Sequence, residues 1–432
     1  MKHLKSTGQQ SQSKASDILK RHDNYLGQFG QWQVNSHFQA IYSTAQQRVI
    51  GYEGLLRASA DGVQQSPLAA FSSCRDSIEK SQLDRLSRTL HLLNFKSVQR
   101  QGYWLFINIC CEEIHPNNLC TDNLVNLLAE HGYQPQQIVI EILEDAIHDE
   151  CLLAEFIYVY KQAGFIIAID DFGAGHSNFD RIWRVSPNIV KLDSCMVKTA
   201  VTDKRVRRIF SRLVKLLRET ECLVLIEGVE TEDEAMLAMD TEADMVQGFF
   251  YSLPALLTEQ VPGCESFELV SQKLALKKAK ESNSYGERVE VFKALLLQCA
   301  KKIQLGQLFK QSCVDLLSQY ACGQMYLIND SGQQVTETLA GEHLRVNRHY
   351  QPFSCGRGAN WGRRGYFTTA IASLGEVHIS APYLALPGGT MSVTFSLAFN
   401  CQGQILVSCC DFDLHFLEAA TDLPLATRQL IS

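Results

Sequence analysis

Residues 165–178 read FIIAIDDFGAGHSN. An apolar run, 165–169, leads into two adjacent carboxylates, Asp170 and Asp171, and then into the turn Phe172, Gly173, Ala174, Gly175. A short apolar run bounded by turn residues reads as a strand buried on both faces, as parallel strands are. Two neighbouring carboxylates at its end repel each other and lose hydration unless cations sit between them. Taken alone, these residues also fit an acidic loop start in water. The same arrangement recurs along the chain, however, and that recurrence carries the reading.

The surrounding chain has room for it. Its 432 residues allow two or three domains. Hydrophobic residues make up 46% and charged ones 20%, an ordinary globular balance. A net charge of -7 and a pI of about 6.0 offer no electrostatic grip on nucleic acid or an anionic membrane surface. Fifteen cysteines lie mostly in apolar runs without a CxxC framework, so we expect reduced, buried thiols. The start, MKHLKSTGQQSQSK, has no apolar signal-peptide core, and no window resembles a membrane span. We therefore expect a cytoplasmic protein.

Residues 1–30 are rich in Ser, Gln and Lys and predict a flexible tail, with at most a short helix around 15–22. From there strand-like runs alternate with amphipathic segments, the pattern of an α/β fold with a parallel sheet. The strands are FQAIYST (38–44), VIGYEGLLR (49–57), YWLFIN (103–108), QIVIEIL (137–143), FIIAID (165–170), NIVKLD (188–193), CLVLIE (222–227) and ADMVQGFF (243–250). Segments 77–96, 151–163, 203–220 and 231–240 have helical periodicity. Eight strands in about 230 residues match the length of a TIM-like (β/α) barrel.

At the strand ends stand Glu53, Asn108, Glu141, Asp170 with Asp171, Lys191, Glu227 and Gln247. In a barrel the carboxyl ends converge on one face, where active sites sit. All-oxygen ligands favour Mg²⁺ or Mn²⁺ over Zn²⁺. This many carboxylates suits two divalent cations, the usual device for in-line attack on a phosphodiester. A lysine there can orient or deprotonate the attacking water, or neutralise the phosphate.

The motifs YEGLLR (52–57), FIN (106–108), IEILE (140–144), DDFGAG (170–175), KLD (191–193), EGVET (227–231) and QGF (247–249) resemble the EAL domain, a family of cyclic-di-GMP phosphodiesterases. The resemblance covers residues 31–258. It implies hydrolysis of cyclic di-GMP to linear pGpG. It also implies that Glu53, Asn108, Glu141, Asp170, Asp171 and Glu227 ligate metal, with Asp170 bridging. Lys191 corresponds to the lysine that contacts the attacking water, and Glu144 to a glutamate that steadies loop 172–179. Gln247, Leu56 and Arg57 correspond to substrate-side residues. The chain departs from the family at Gly54, where alanine is usual, and at His176, which we read as replacing a loop aromatic. The alternative function is a weakly active or inactive cyclic-di-GMP receptor; a degenerate interaction module is a third. Segment 204–218, KRVRRIFSRLVKLLR, carries seven positive charges. It predicts a solvated helix face or, since EAL barrels pair nearby, a homodimer contact.

Beyond 258 the barrel pattern stops. Residues 259–322 predict a helical linker broken at 283–286, its second part (from about 286) belonging with the next domain. Residues 323–432 predict an α+β sensor-sized domain with a hairpin at 323–339 and three further strand runs. RRGYF (363–367), SAPY (380–383) and the strand end at Asp411 resemble a Cache/PAS-like domain, as in YkuI-type EAL proteins. The resemblance implies a regulatory pocket of Trp361, Arg364, Tyr366, Tyr383 and Asp411. Its Arg and Asp suit a zwitterionic or carboxylate effector. The alternative is a sheet that only scaffolds a dimer.

Overall fold

A computed structural model describes residues 16–21, 24–96, 102–110, 114, 121–143, 149–175, 179–257, 265–342, 344, 356–386 and 388–418. The chain divides into two compact units, Met1–Leu274 and Ala275–Ser432.

In the first unit an eight-stranded sheet closes on itself. Strands Arg48–Ala60, Trp104–Asn108, Ile138–Leu143, Ile166–Phe172, Ile189–Leu192, Leu223–Ile226 and Met245–Val246 run parallel in that order. Trp32–Ser43 closes the ring antiparallel to both end members. The sheet is therefore not wholly parallel, as the periodicity alone suggests. Only the tight turn 44–47 separates the first two barrel strands, and a parallel return needs a crossover of a dozen residues or more.

The N-terminal expectation is also corrected. Ser16–Arg21 and Asn24–Phe29 form antiparallel strands that extend the sheet from Trp32–Ser43, and residues 16–21 are not helical. Phe29 and Trp32 anchor this extension, packing with Val34, Leu56, Leu83 and Leu90.

Side chains alternate along each barrel strand. Ile41, Phe106, Val139, Ala168, Ile189, Leu225 and Met245 fill the interior as one apolar layer. Their neighbours, such as Ile107, Ile140, Ile167, Val190 and Val224, join a larger core with apolar side chains of the helices outside. Each fully buried Ile, Leu or Phe stabilises the barrel by about 1.5–3 kcal/mol. Polar caps end the helices where the sequence changes character. Asp203 accepts from the Arg205 and Val206 amides at the start of Lys204–Glu219, and Thr231 forms a capping box with Glu234. Among the described residues, no helix is long and apolar enough to cross a membrane.

The second unit is an antiparallel sheet in the order Leu339–Ala340, Cys322–Asn329, Gln404–Asp413, Thr390–Cys401, Val377–Ile379, with Tyr383–Ala385 also paired to Thr390–Cys401. The hairpin expected at its start is present but interrupted: Ile328 bridges Gln334, the Val335 amide donates to the Leu327 carbonyl, and Leu339–Ala340 pairs antiparallel with Gln324 and Met325. The Gln334 amide donates to the Ala359 carbonyl instead of continuing the ladder. The expected break at 283–286 is absent: Glu265–Gln304 is one 40-residue helix. A single glycine, Gly286, costs such a helix only about 1 kcal/mol. From Val289 onward its apolar side, including Phe292, Leu296 and Ile303, packs with Leu327, Phe395 and Phe412 of the sheet. Cys299, Cys313, Cys322 and Cys410 are buried there as free thiols, whereas Cys195 is exposed.

Candidate active site

One step of two residues beyond the interior layer, every barrel strand changes from apolar to polar. Phe106 gives way to Asn108, Val139 to Glu141, Ala168 to Asp170, Ile189 to Lys191, Leu225 to Glu227 and Met245 to Gln247. Gly51 is followed in the same way by Glu53. On the antiparallel strand the step runs backwards, from Ile41 to Gln39, which faces Glu53 in register. The strand period of two thus builds a polar ring on an apolar floor.

Lys191 is the centre of the ring and is 1% exposed. Its Nζ lies 2.5 Å from Glu141 Oε1, 2.6 Å from Glu227 Oε1, 3.0 Å from Asp170 Oδ1 and 3.9 Å from Glu53 Oε1. Asn108 Nδ2 donates to the other Glu141 oxygen at 3.0 Å. Gln247 Nε2 donates to Glu53 Oε2 at 2.6 Å and to Gln39 Oε1 at 3.1 Å. Gln39 in turn donates to the Ser252 carbonyl at 3.0 Å. Oxygens of Glu53, Glu141 and Glu227 lie within 4.8 Å of one another, as do those of Asp170, Asp171 and Glu227.

Asp171 reaches this group through a backbone irregularity. Adjacent strand residues point to opposite faces, so Asp170 and Asp171 could not share a site in a regular strand. The ladder to Ile189–Leu192 is interrupted between Ile169 and Phe172, and Asp171 takes a φ of 58°. That bulge turns the second carboxylate to the ring.

Burial makes the crowding costly. It raises Glu141 well above the usual carboxylate range, with Lys191 opposing and Glu53, Asp170 and Glu227 adding to the rise. It likewise pushes Glu227 up to about 8, Lys191 again opposing. Asp171 rises through burial and the neighbouring Asp170. Burial pulls Lys191 down, but Asp170, Glu141, Glu227 and Glu53 outweigh it and hold the ammonium well above its ordinary value. Five carboxylates against one ammonium leave four negative charges, which two divalent cations would neutralise. Gln247 Oε1 is also buried without a hydrogen-bond partner among the described residues. The donor set is all oxygen, so the residues fit hard cations.

Most residues named from the sequence meet in this ring, and one does not. Leu56 is 8% exposed and packs outward with Phe29, Trp32 and Leu83. Alternation from Glu53 puts Leu55 and Arg57 on the ring side instead. Glu144 and His176 lie outside the described residues. Gln39 was not foreseen, because the antiparallel sense of its strand is needed to see that its end faces the same way. In the second unit Arg364, Tyr366 and Tyr383 line one cavity. Trp361 and Asp411 do not. Trp361 Nε1 donates to Gln334 Oε1 at 3.0 Å. Asp411 is buried and accepts from Gln324, Thr394 and Tyr383 at 2.6, 2.8 and 3.1 Å.

Residues 24–254 match the sequence profile of the EAL domain. The chain belongs to the EAL-domain family. The uncharacterized EAL-domain protein YkuI of Bacillus subtilis is 24% identical over 410 residues, 90% of this chain and 95% of that one. Its crystal structure, in complex with cyclic di-GMP and calcium, aligns with a TM-score of 0.75 at 22% identity, covering 88% of this chain and 96% of that one. That likeness speaks for the fold. The probable cyclic di-GMP phosphodiesterases PdeA and PdeN of Escherichia coli are 28% and 27% identical over 137 and 235 residues, or 32% and 52% of this chain. The chain spans only 19% and 44% of those two relatives. In this EAL domain the glycine of the name-giving triplet has a local cause. A Cβ on Gly54 would lie 2.8 Å from Cγ of His91 on the helix Ser77–Lys96.

Proposed function

We propose that the barrel hydrolyses cyclic di-GMP to linear pGpG with two divalent cations, Mg²⁺ or Mn²⁺, and that the second unit regulates it. The single observation that carries this reading is the ring of five carboxylates, with Glu53, Glu141 and Asp170 buried, gathered around one buried lysine at the carboxyl ends of the strands. Membership of a family whose relatives include probable cyclic di-GMP phosphodiesterases supports the choice of substrate.

In this mechanism Glu53, Asn108, Glu141, Asp170, Asp171 and Glu227 would hold the cations. Bound there, the cations would lower the pKa of the attacking water and offset charge on the phosphoryl oxygens. Lys191, with Nζ 2.5, 2.6 and 3.0 Å from Glu141, Glu227 and Asp170, stands where it can orient or deprotonate the attacking water or neutralise the phosphate. Gln247, which also donates to Gln39, fixes the rotamer of Glu53 from the ring side. Arg57, half-buried on the face of Glu53, takes a phosphate of the dinucleotide. The exposed Ile209 and Leu216, set among the charges of Lys204–Glu219, form the surface we expect to pair in a homodimer.

The test is incubation of the protein with cyclic di-GMP and Mg²⁺ or Mn²⁺, followed by chromatography. We expect pGpG to appear, EDTA to stop it, and Glu53→Gln to abolish it with the far-UV spectrum unchanged. Intact substrate with saturable binding would make the protein a receptor. Intact substrate without binding would overturn both readings.

A further inference from the structure

The second unit contains a cavity of about 370 Å³, set between the start of the helix Gly365–Ala372 and a break in the sheet edge. The break exists because two short strands share one edge of Thr390–Cys401. Val377–Ile379 pairs with residues 395–397, and Tyr383–Ala385 with residues 390–392. Ser380 spans the gap: its amide donates to the Thr394 carbonyl, and its hydroxyl accepts from the Thr394 amide, both at 2.9 Å. Pro382 has no amide with which to continue the ladder. The cavity opens where regular pairing stops, a common place for a ligand to be received.

Its lining includes Arg364, Tyr366, Thr369, His378, Ser380 and Tyr383, and its charge is of one sign. Arg364 makes no ion pair with any described residue, and no carboxylate lines the cavity. Asp411, on the far side of the Tyr383 hydroxyl, already accepts from three donors, which leaves it no role in binding a cation from the cavity. His378 Nε2 is buried and has no hydrogen-bond partner among the described residues. With that nitrogen shielded from solvent, the face His378 gives the cavity is the rest of its ring. The Tyr366 and Tyr383 rings stack with centroids 6.3 Å apart and form an apolar wall. The volume is that of a small organic molecule.

We propose that this cavity binds a small organic carboxylate lacking an ammonium group. Arg364 takes the carboxylate as a two-pronged ion pair, for which the planar guanidinium is shaped. The tyrosine faces and the His378 ring cover the hydrocarbon body. The sequence suggested a zwitterionic effector as an equal choice. The internal satisfaction of Asp411 removes the half of the site that would read an ammonium. The inference stands on the second unit alone and does not depend on what the barrel hydrolyses.

The experiment is thermal unfolding and titration calorimetry of the full chain, at fixed ionic strength, with acetate, lactate, succinate, alanine and inorganic phosphate. Lactate and alanine differ by a hydroxyl in place of an ammonium, so the pair tests the absence of a cation subsite. We expect a saturable rise in Tm with at least one of the three carboxylates and none with alanine or phosphate. Arg364→Gln should abolish the rise. Arg364 is exposed, so an unchanged Tm of the unliganded Arg364→Gln variant confirms an intact fold. The proposal is overturned by no saturable response to any carboxylate, an equal response in Arg364→Gln, or an equal response to alanine or phosphate.

Discussion

The His91 ring occupies the space that a methyl group at position 54 would fill, and it stays there because both of its nitrogens are engaged. Nδ1 pairs with Ser36 Oγ at 2.9 Å and Nε2 with Ser87 Oγ at 3.0 Å. Gly54→Ala should therefore overpack this contact and destabilise the barrel by about 1–3 kcal/mol. Denaturant unfolding of Gly54→Ala, His91→Ala and the double variant should show the double loss to be smaller than the sum of the single ones. Additive losses would mean that the two positions do not compete for space. His91 also sets a pH dependence. Burial, with Arg57 adding to it, lowers its pKa from the ordinary 6.5 to about 3. The unfolded chain then binds the extra proton between those values, so the contribution is complete above pH 6.5 and is lost as pH falls towards 3. Within that window stability should drop by up to about 1.4 kcal/mol per pH unit from this group. The slope measured by denaturant titration should be shallower in His91→Gln.

Among the elements, the strand Ile166–Phe172 stores a conflict that the site uses. Its bulge and the positive φ of Asp171 bring two carboxylates to one side, against the repulsion between them. Asparagine tolerates the left-handed region as aspartate does, so Asp171→Asn removes charge without changing the backbone. Thermal unfolding in EDTA should show this variant more stable than the parent by up to about 1 kcal/mol. With Mg²⁺ or Mn²⁺ its turnover should fall by more than the about 10–100-fold typical of residues that only support a metal ligand. A variant with unchanged turnover would remove Asp171 from the ligand set.

Taken as a whole, the barrel joins strands far apart in sequence around one concentration of negative charge, and counter-charge should then act as a folding ligand. Mg²⁺ or Mn²⁺ at about 100 times Kd should stabilise the protein by about 2.7 kcal/mol per ion, roughly 5–10 °C in Tm. Scanning calorimetry should show the rise reversed by EDTA and reduced in Glu53→Gln. A rise of equal size in that variant would place the cations elsewhere.

The ring was legible in the sequence because strand alternation and the convergence of carboxyl ends are local rules. Once 165–170 is a barrel strand, Asp170 must lie one step above Ala168, and the same holds for Glu53, Asn108, Glu141, Lys191, Glu227 and Gln247. What lay beyond the sequence depended on pairing between distant segments. Strand direction, set by the turn at 44–47, brought Gln39 to Glu53. Strand pairing between residues 16–21 and 24–29 overrode the loose tail that composition implied. Gly286 continued a helix in spite of its propensity, since the residues beyond it bury their apolar face on the sheet. In the second unit residue types alone cannot say whether a buried aspartate faces a ligand or its own fold. Three donors from three different strands settled Asp411, and only the tertiary structure could bring them together.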